Sequence, residues 1–200
     1  QFAVTPQNGS LEIAKREITV TATGGSKQYD GSAITAEETG YQITSGTLAS
    51  GDAETVVLSG TQTLVGSSAA TVESVTIKRG EADVTKNYTI TPVNGTLTIT
   101  NREAKYEITL VAVSNTGNTY DGTEKEAKGV VTDKFTFDGV EYTVSGFTTS
   151  DPKQVNAGTY PNNITAENGF VVTDPDNNNV TAQFAVTPQN GSLEIAKREI

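Results

Sequence analysis

The sequence contains no cysteine, histidine, methionine or tryptophan. Without cysteine and histidine there is no thiolate nucleophile, no disulfide, no imidazole base and no Cys/His zinc site. A Ser-His-Asp triad is excluded for the same reason. Hydrophobic residues make up 34% of the chain, and no apolar run reaches the roughly 18 residues of a membrane span. The sequence therefore predicts no enzymatic activity, no cofactor and no membrane partner.

Basic residues are also scarce, since 14 Lys and Arg face 24 Asp and Glu, giving a formal net charge of -10. Such a charge repels polyanions, and we therefore expect no nucleic-acid partner. The 200 residues have room for one large domain or for two smaller ones. The chain shows no signal peptide and begins with Gln1, so we interpret it as an internal fragment of a longer protein.

An exact repeat is the strongest feature of the sequence. Residues 1–18 and 183–200 both read QFAVTPQNGSLEIAKREI, which gives the chain a period of 182 residues. On this basis residues 1–14 are the tail hairpin of a preceding repeat, and residues 197–200 begin the next one. We expect the 1–14 hairpin to hang free or to make an end-to-end contact with a neighbouring chain.

A weaker repeat divides each long period into two related units. The matching segments are YTITPVNGTLTIT (88–100) with QFAVTPQNGSLEIA (183–196), and KQYDGS (27–32) with NTYDGT (118–123). We predict a β repeat unit A over residues 15–100 and a unit B over residues 101–196. A cyclic repeat carries no phase, so domains at 1–86 and 87–182 are the alternative. The charged joints AKREI and TNREAKYEI favour the first division.

Short runs of alternating apolar residues, punctuated by Gly and Pro, predict strands along nearly the whole chain. Many short strands without long helices favour an all-β fold of two tandem antiparallel Ig-like β-sandwich domains. Joints that lack Gly and Pro predict an elongated rod with limited flexing. The alternative is a β-grasp-like domain with one short helix each, for which AITAEETG (33–40) and TEKEAKG (123–129) are the candidates.

Two kinds of turn are predicted from Gly-containing dipeptides. In the closing motif, Pro ends a strand ladder and Asn-Gly supplies positive φ, so Asn94-Gly95 and Asn190-Gly191 are each expected to turn a β-hairpin. Asp138-Gly139 lies between two alternating runs, FTF and VEYTV, and is expected to turn a second, tighter hairpin.

A Tyr-Asp-Gly tripeptide occurs once in each unit, as Tyr29-Asp30-Gly31 and as Tyr120-Asp121-Gly122. The favoured interpretation is structural. Asp-Gly forms a turn, the aspartate accepts hydrogen bonds from its own backbone, and the tyrosine packs its ring into the sandwich while its hydroxyl stays in water. A ligand-binding role is the less favoured alternative.

One candidate metal site is present, at Asp174, Asp176 and Asn178. Oxygen ligands at alternate positions suit Ca²⁺. The segment lacks the glycine and the glutamate of an EF-hand loop, and Asx residues beside proline also form ordinary loops. The prediction is therefore no metal, with calcium at these three residues as the alternative.

The order Tyr-Asp-Gly, then a glycine-rich segment, then a closing Asn-Gly-(Thr/Ser)-Leu resembles the MBG/YDG family, and the resemblance covers nearly the whole chain twice. Unit B departs from unit A at Asn118, before its tyrosine, and in its longer central loops. The resemblance implies mostly-β repeat domains of bacterial surface adhesins. It further implies an extracellular location on a cell-wall-anchored parent protein.

Two functional hypotheses follow. The first is structural: the repeats form a stalk or spacer that projects a distal binding region from the cell wall. The second is that the repeats are weak multivalent adhesive modules for host glycan, mucin or matrix protein, through the Tyr-rich and Asn/Thr-rich loops of unit B at 147–163. Arrayed weak sites gain avidity without new contacts.

Overall fold

The structure is a computed structural model that describes all 200 residues of the chain. It is mostly β, as predicted, and it divides into two compact units. Unit 1 comprises residues 1–27 and 33–99, and unit 2 comprises residues 28–32 and 100–200. The sequence places the segment 28–32 inside unit A, whereas the structure groups it with unit 2. None of the helices has the length and apolar character needed to cross a membrane.

Unit 1 is built from ten strands and two very short helices. The strands are β1 (Arg16–Ala22), β2 (Gly25–Gln28), β3 (Ile34–Thr35), β4 (Tyr41–Ser45), β5 (Asp52–Ser59), β6 (Thr61–Gln62), β7 (Gly66–Arg79), β8 (Ala82–Asp83), β9 (Tyr88–Val93) and β10 (Gly95–Thr100). The helices are α1 (Ala36–Thr39) and a 3₁₀ turn at Thr85–Asn87.

Two sheets of unit 1 enclose one hydrophobic core. One sheet has the order β4-β1-β9, and the other the order β2-β10-β7-β5. Alternate residues of β1, namely Ile18, Val20 and Ala22, are buried, as the period of two in a strand requires. They join Ile77 of β7 and Leu97 of β10 in a single cluster.

Unit 2 contains twelve strands and a second 3₁₀ turn at Thr181–Gln183. The strands are β11 (Tyr106–Val111), β12 (Asn115–Thr119), β13 (Lys125–Glu126), β14 (Lys134–Phe137), β15 (Val140–Ser145), β16 (Thr148–Thr149), β17 (Lys153–Gln154), β18 (Gly158–Asn162), β19 (Ile164–Thr165), β20 (Val171–Thr173), β21 (Phe184–Gln189) and β22 (Gly191–Ala196). Its longer ladders are β11-β21, β12-β22-β18 and β14-β15-β20.

The expectation of purely antiparallel sheets is wrong at the first strand of each unit and at β12, which pairs in parallel with β22. β1 pairs in parallel with β9, placing Ile18 opposite Ile90. β11 pairs in the same way with β21, placing Ile108 opposite Val186. Local alternation of apolar residues does not distinguish the two kinds of pairing when the partner strand lies about 70 residues away, because strand direction depends on the connection.

The Asn-Gly hairpins predicted at residues 94–95 and 190–191 are also wrong. β9 and β10 do not pair with each other; β9 pairs with β1, and β10 pairs with β2 and β7. Neither Gly95 nor Gly191 is among the residues with positive φ. Asn-Gly therefore joins two strands that belong to different sheets, and β21 and β22 repeat the arrangement.

The Asp138-Gly139 turn is confirmed. β14 and β15 pair antiparallel with Phe137 opposite Val140. Asp138 and Gly139 have φ of 48° and 81°, as a two-residue hairpin loop requires. Of the two helix candidates, 33–40 contains α1, which begins after a capping box formed by Thr35 and Glu38, whereas 123–129 contains only the short strand β13.

Residues 1–14 form no helix or strand, although their sequence equals that of β21 and β22. Phe2 and Leu11 are exposed, whereas their counterparts Phe184 and Leu193 are buried in unit 2. The same sequence thus lies in two environments, and its second copy pairs with β11, β12 and β18.

Candidate functional site

The two Tyr-Asp-Gly segments have the same local geometry. The Oδ1 atom of Asp30 accepts hydrogen bonds from the backbone N–H and the hydroxyl of Ser32, at 2.9 and 2.8 Å. The Oδ1 atom of Asp121 accepts the equivalent bonds from Thr123, at 2.8 and 2.6 Å. Each aspartate therefore stabilises an Asx turn, which an Asp-Gly-(Ser/Thr) sequence favours.

The tyrosines are also held to the backbone in the same way. The N–H of Tyr29 donates to the carbonyl of Thr100 at 2.9 Å, and the N–H of Tyr120 donates to the carbonyl of Ala196 at 2.9 Å. Thr100 and Ala196 are the last residues of β10 and β22. Each segment is thus tied to the end of the closing strand of its repeat.

The burial of the two tyrosines differs sharply. Tyr29 is 1% exposed, and it lies in the core of unit 2. Tyr120 is 42% exposed. The expectation that the hydroxyl of this motif stays in water is wrong for Tyr29, because its hydroxyl donates to the Tyr142 hydroxyl at 3.4 Å inside unit 2.

Tyr142, which accepts the hydrogen bond from Tyr29, belongs to a cluster of aromatic rings. Tyr142 lies 4.8 Å from Phe184 between ring centroids, and Tyr106 lies 4.7 Å from Phe137. Phe137 also contacts Phe184 edge-on at 5.7 Å. We call Tyr106, Phe137, Tyr142 and Phe184 the aromatic cluster. Ring pairs at these spacings stabilise a core beyond the area that they bury.

Arg102 connects the Tyr29 backbone to this cluster. Its guanidinium group lies 3.8 Å from the centroid of the Tyr106 ring, a cation–π contact. The same group donates to the carbonyl oxygen of Tyr29 at 3.0 Å and to the hydroxyl of Tyr106 at 2.9 Å. The backbone N–H of Arg102 donates to the side chain of Gln183 at 2.9 Å, which fixes the arginine in place.

Burial governs the protonation of these phenols. It raises the pKa of Tyr29 well above the ordinary value, and the hydrogen bond with Tyr142 adds to the effect. Burial, followed by the hydrogen bond to Asp138, raises the pKa of Tyr106 to about 12. Burial also raises the pKa of Tyr142. All three phenols are therefore neutral near pH 7.

The glycines of the two segments show the same contrast. Gly31 and Gly122 both have φ of 80°, so both turns need a residue that tolerates positive φ. A Cβ atom at Gly31 would overlap the hydroxyl of Tyr142, whereas a Cβ atom at Gly122 would meet nothing within 4 Å. Gly31 is thus required by packing as well as by backbone conformation.

Unit 1 has a polar group at the position that the aromatic cluster occupies in unit 2. The hydroxyl of Tyr88, the counterpart of Phe184, donates to Asp52 at 2.6 Å. Arg79 donates to the other oxygen of Asp52 at 2.6 Å. Both hydrogen bonds lower the pKa of the Asp52 carboxyl, and the bond from Tyr88 has the larger effect. The two units therefore place different side chains at equivalent positions of a similar strand arrangement.

The two Asn-Gly pairs lie at close backbone crossings and not at hairpin tips. A Cβ atom at Gly95 would overlap the carbonyl of Ala22, and one at Gly191 would overlap the carbonyl of Val113. The side chain of Asn190 accepts a hydrogen bond from the N–H of Ile164 at 3.0 Å. The motif thus requires glycine because another backbone segment passes against it.

The calcium candidates lie together after β20. The carboxylate of Asp174 accepts hydrogen bonds from the N–H of Asp176 at 3.0 Å and from the N–H of Asn178 at 2.8 Å. It also accepts one from the amide group of Asn178 at 2.9 Å. The Asp174 oxygens therefore stabilise the turn itself. The structure contains no group of three or more Asp, Glu, His or Cys side chains that could hold a metal ion.

An open depression of about 420 Å³ lies beside the exposed Tyr-Asp-Gly segment of unit 2. Its walls include Asn118, Gly158, Glu194 and Lys197. Next to it, the carboxylate of Asp121 forms an ion pair with Lys125 at 2.9 Å. Hydrogen bonds from Thr123 and then from Lys125 hold the pKa of Asp121 well below its usual range. The surface around Tyr120 is thus ordered and charged.

A second, smaller depression in unit 2 has one aromatic residue in its lining. It is lined by Phe147, Thr148, Thr165 and Asn168, among others. Phe147 lies 6.4 Å from Phe170 between ring centroids. An aromatic ring beside hydroxyl and amide groups has the mixed character of many small-ligand sites.

Comparison of the chain with family models, with curated proteins and with solved structures found no match. The resemblance to the MBG/YDG family therefore stays a prediction.

Sequence reasoning identified both Tyr-Asp-Gly segments but missed the residues that receive Tyr29. Arg102, Tyr142 and Phe184 lie 73, 113 and 155 positions further along the chain, and no pattern within the tripeptide points to them. The available signal was compositional. The FTFDGVEY segment brings three aromatic residues into unit B at a place where unit A has none.

Proposed function

We propose that this chain is a structural tandem-repeat segment of a large bacterial cell-surface adhesin, where it serves as a stalk or spacer between the cell wall and a distal binding region. The observation that carries the proposal is the 18-residue identity between residues 1–18 and 183–200. This identity supports the recurrence of a pair of related β units along a longer protein. The proposal assigns the chain no reaction and no cofactor.

The form of each unit supports a load-bearing role. Unit 1 encloses a core of its own between two sheets, and unit 2 has long ladders around Leu193 and Ile195. Repeats that each bury a core can change in number without loss of fold. We propose that the units are Ig-like sandwiches and that they are exposed outside the cell, as the Tyr-Asp-Gly resemblance implies.

Small-angle scattering tests the spacer role directly. We compare the 200-residue chain with a chain that carries one further 182-residue period. A spacer predicts that the maximum dimension grows in proportion to the number of units. A maximum dimension that stays nearly constant when the period is added would contradict the proposal, because the added units would then pack side by side.

The depression at Phe147 favours a second candidate function, weak multivalent adhesion to a glycan or an extracellular protein. The half-buried ring of Phe147 beside Thr148, Thr165 and Asn168 can contact the apolar face of a sugar while the polar groups bind its hydroxyls. Beads densely coated with the chain would be probed with glycans, mucin and matrix proteins.

The Phe147→Ala variant is the decisive arm of this screen, and Val131→Ala is its matched control. Val131 is 68% exposed and lies outside the depression. Saturable binding that Phe147→Ala abolishes and Val131→Ala retains would support adhesion. Absence of binding, or equal binding by both variants, would remove this site from consideration.

A further inference from the structure

The Tyr29 segment lies beside the end of β10 and contacts residues that follow this strand. Its backbone is bonded to Thr100, the last residue of β10, and its side chain is covered by residues that follow Thr100. Arg102, two residues beyond Thr100, donates to the Tyr29 carbonyl. Residues that follow β10 therefore bind the Tyr-Asp-Gly segment that lies beside this strand.

The Tyr120 segment occupies the same position beside the other closing strand. Its backbone is bonded to Ala196, the last residue of β22, and its turn is the one seen at Asp30. The residues that follow, 197–200, read KREI and repeat residues 15–18. In unit 1, Arg16, Glu17 and Ile18 are the first three residues of β1. Residues 198–200 therefore have the sequence with which β1 begins.

We propose that Tyr120-Asp121-Gly122 is a docking element for a second copy of residues 15–99, joined to the chain through the shared KREI sequence. Tyr120 corresponds to the buried Tyr29, and it is exposed here at 42%. This inference concerns how successive repeats are joined. It holds or fails independently of the surface role proposed above.

The expected partner of the Tyr120 phenol follows from the strand register. The N–H groups of Ile77 and Val172 donate to Thr85 and Thr181 respectively, which makes Ile77 and Val172 equivalent. Their partners across the ladder are Glu54 and Val144. Asp52 precedes Glu54 by two residues, and Tyr142 precedes Val144 by two residues, so Asp52 and Tyr142 occupy equivalent positions.

A unit of the first kind therefore presents a carboxylate where unit 2 presents the Tyr142 hydroxyl. Asp52 is 4% exposed and is bonded to Arg79 and Tyr88. A phenol hydroxyl donates well to a carboxylate, so Tyr120 is expected to bind the Asp52–Arg79 pair of the added unit.

Chemical labelling of tyrosine tests this docking. The 200-residue chain is compared with a chain extended after Ile200 by a copy of residues 19–100, and nitration is mapped by mass spectrometry of peptides. Tyr120 and Tyr142 occur once in both chains, and Tyr142 is the buried reference at 0% exposure. We expect Tyr120 to react at least about tenfold more slowly in the extended chain, a protection of about 1.4 kcal/mol.

A second readout does not depend on labelling. Tyr120→Ala is expected to lower the Tm of the extended chain and to leave the Tm of the 200-residue chain unchanged. Equal nitration of Tyr120 in both chains, or equal Tm shifts, would overturn the proposal. Protection that rises with concentration in the 200-residue chain and gains nothing from the extension would also overturn it, since docking would then occur between molecules.

Discussion

Tyr29 and Tyr120 begin the same tripeptide, are followed by the same Asx turn and are bonded to the same place in their repeats, yet Tyr29 is 1% exposed and Tyr120 is 42% exposed. The tripeptide specifies the turn. The environment of the tyrosine is specified by residues far away in the sequence, above all Arg102 and Tyr142. A repeated motif can therefore keep its backbone and change its role.

The two units also differ in the side chains that surround the first residue of β9 and of β21. Unit 2 places the aromatic cluster there, and unit 1 places Asp52 with Arg79 and Tyr88. An aromatic cluster gains from burial, whereas a carboxylate requires hydrogen-bond partners if it is buried. The parallel pairing of β1 with β9 and of β11 with β21 is present with both sets of side chains.

The largest difference in the free energy of unfolding is expected between the alanine variants of the two tyrosines. Tyr29→Ala removes a fully buried aromatic ring and should lower the free energy of unfolding by about 3–5 kcal/mol. Tyr120→Ala removes an exposed ring and should change it by no more than about 0.5 kcal/mol. Urea unfolding followed by circular dichroism measures both. Equal destabilisation by the two variants would show that Tyr29 is not a core residue.

The closing Asn-Gly motif offers a comparison with an internal control. Gly191→Val places side-chain atoms against the Val113 carbonyl and should cost about 1–3 kcal/mol through overpacking. Gly95→Val should behave in the same way against Ala22. Gly9 has the same sequence neighbours, but a Cβ atom there meets nothing within 4 Å, so Gly9→Val should leave the Tm unchanged. A loss of stability in Gly9→Val would contradict this assignment.

Alkaline pH should destabilise unit 2 more than unit 1. Tyr29, Tyr106 and Tyr142 have raised pKa values in the folded state, and unit 1 contributes Tyr41. Above pH about 10 the unfolded chain loses phenol protons that the folded chain retains, so stability is complete below that pH and falls as pH rises.

Hydrogen exchange resolved by strand measures this effect between pH 8 and 11, after correction for the intrinsic exchange rate. The free energy of opening of β15 should fall more steeply with rising pH than that of β7. Tyr29→Phe should reduce the slope for β15, because one buried phenol is then removed. Identical slopes for the two strands would contradict the assignment of the raised pKa values to the unit 2 core.

The aspartates of the two turns should give the smallest contrast. Asp30→Ala is expected to lower the Tm, because its turn holds the buried Tyr29 in place. Asp121→Ala is expected to lower it less, since that turn is exposed. The lowered pKa of Asp121 means that its contribution is present above the ordinary aspartate pKa and is lost as pH falls through the folded value. Thermal melts of both variants at pH 7 test the order.

The sequence predicted those features that depend on neighbouring residues. The all-β class, the Asp138-Gly139 hairpin and the Asx turn at Asp121 each follow from alternation or from local side-chain hydrogen bonds. Features that depend on distant segments were missed. The parallel pairing of β1 with β9 and the burial of Tyr29 both require partners that lie more than 60 residues away.

The Asn-Gly prediction failed for a related physical reason. Asn-Gly favours a positive-φ turn, but Gly95 and Gly191 are also the residues that allow a second backbone to approach closely. A single sequence does not separate these two uses of glycine. The strand partners separate them, because β9 and β10 lie in different ladders.

Hydrogen exchange of the Tyr29→Ala variant tests most directly whether the segment 28–32 belongs to the second core. We expect faster exchange in β11, β15 and β20 of unit 2, while β5 and β7 of unit 1 keep the protection of the parent chain. Faster exchange in β5 and β7, with β11, β15 and β20 unchanged, would contradict it.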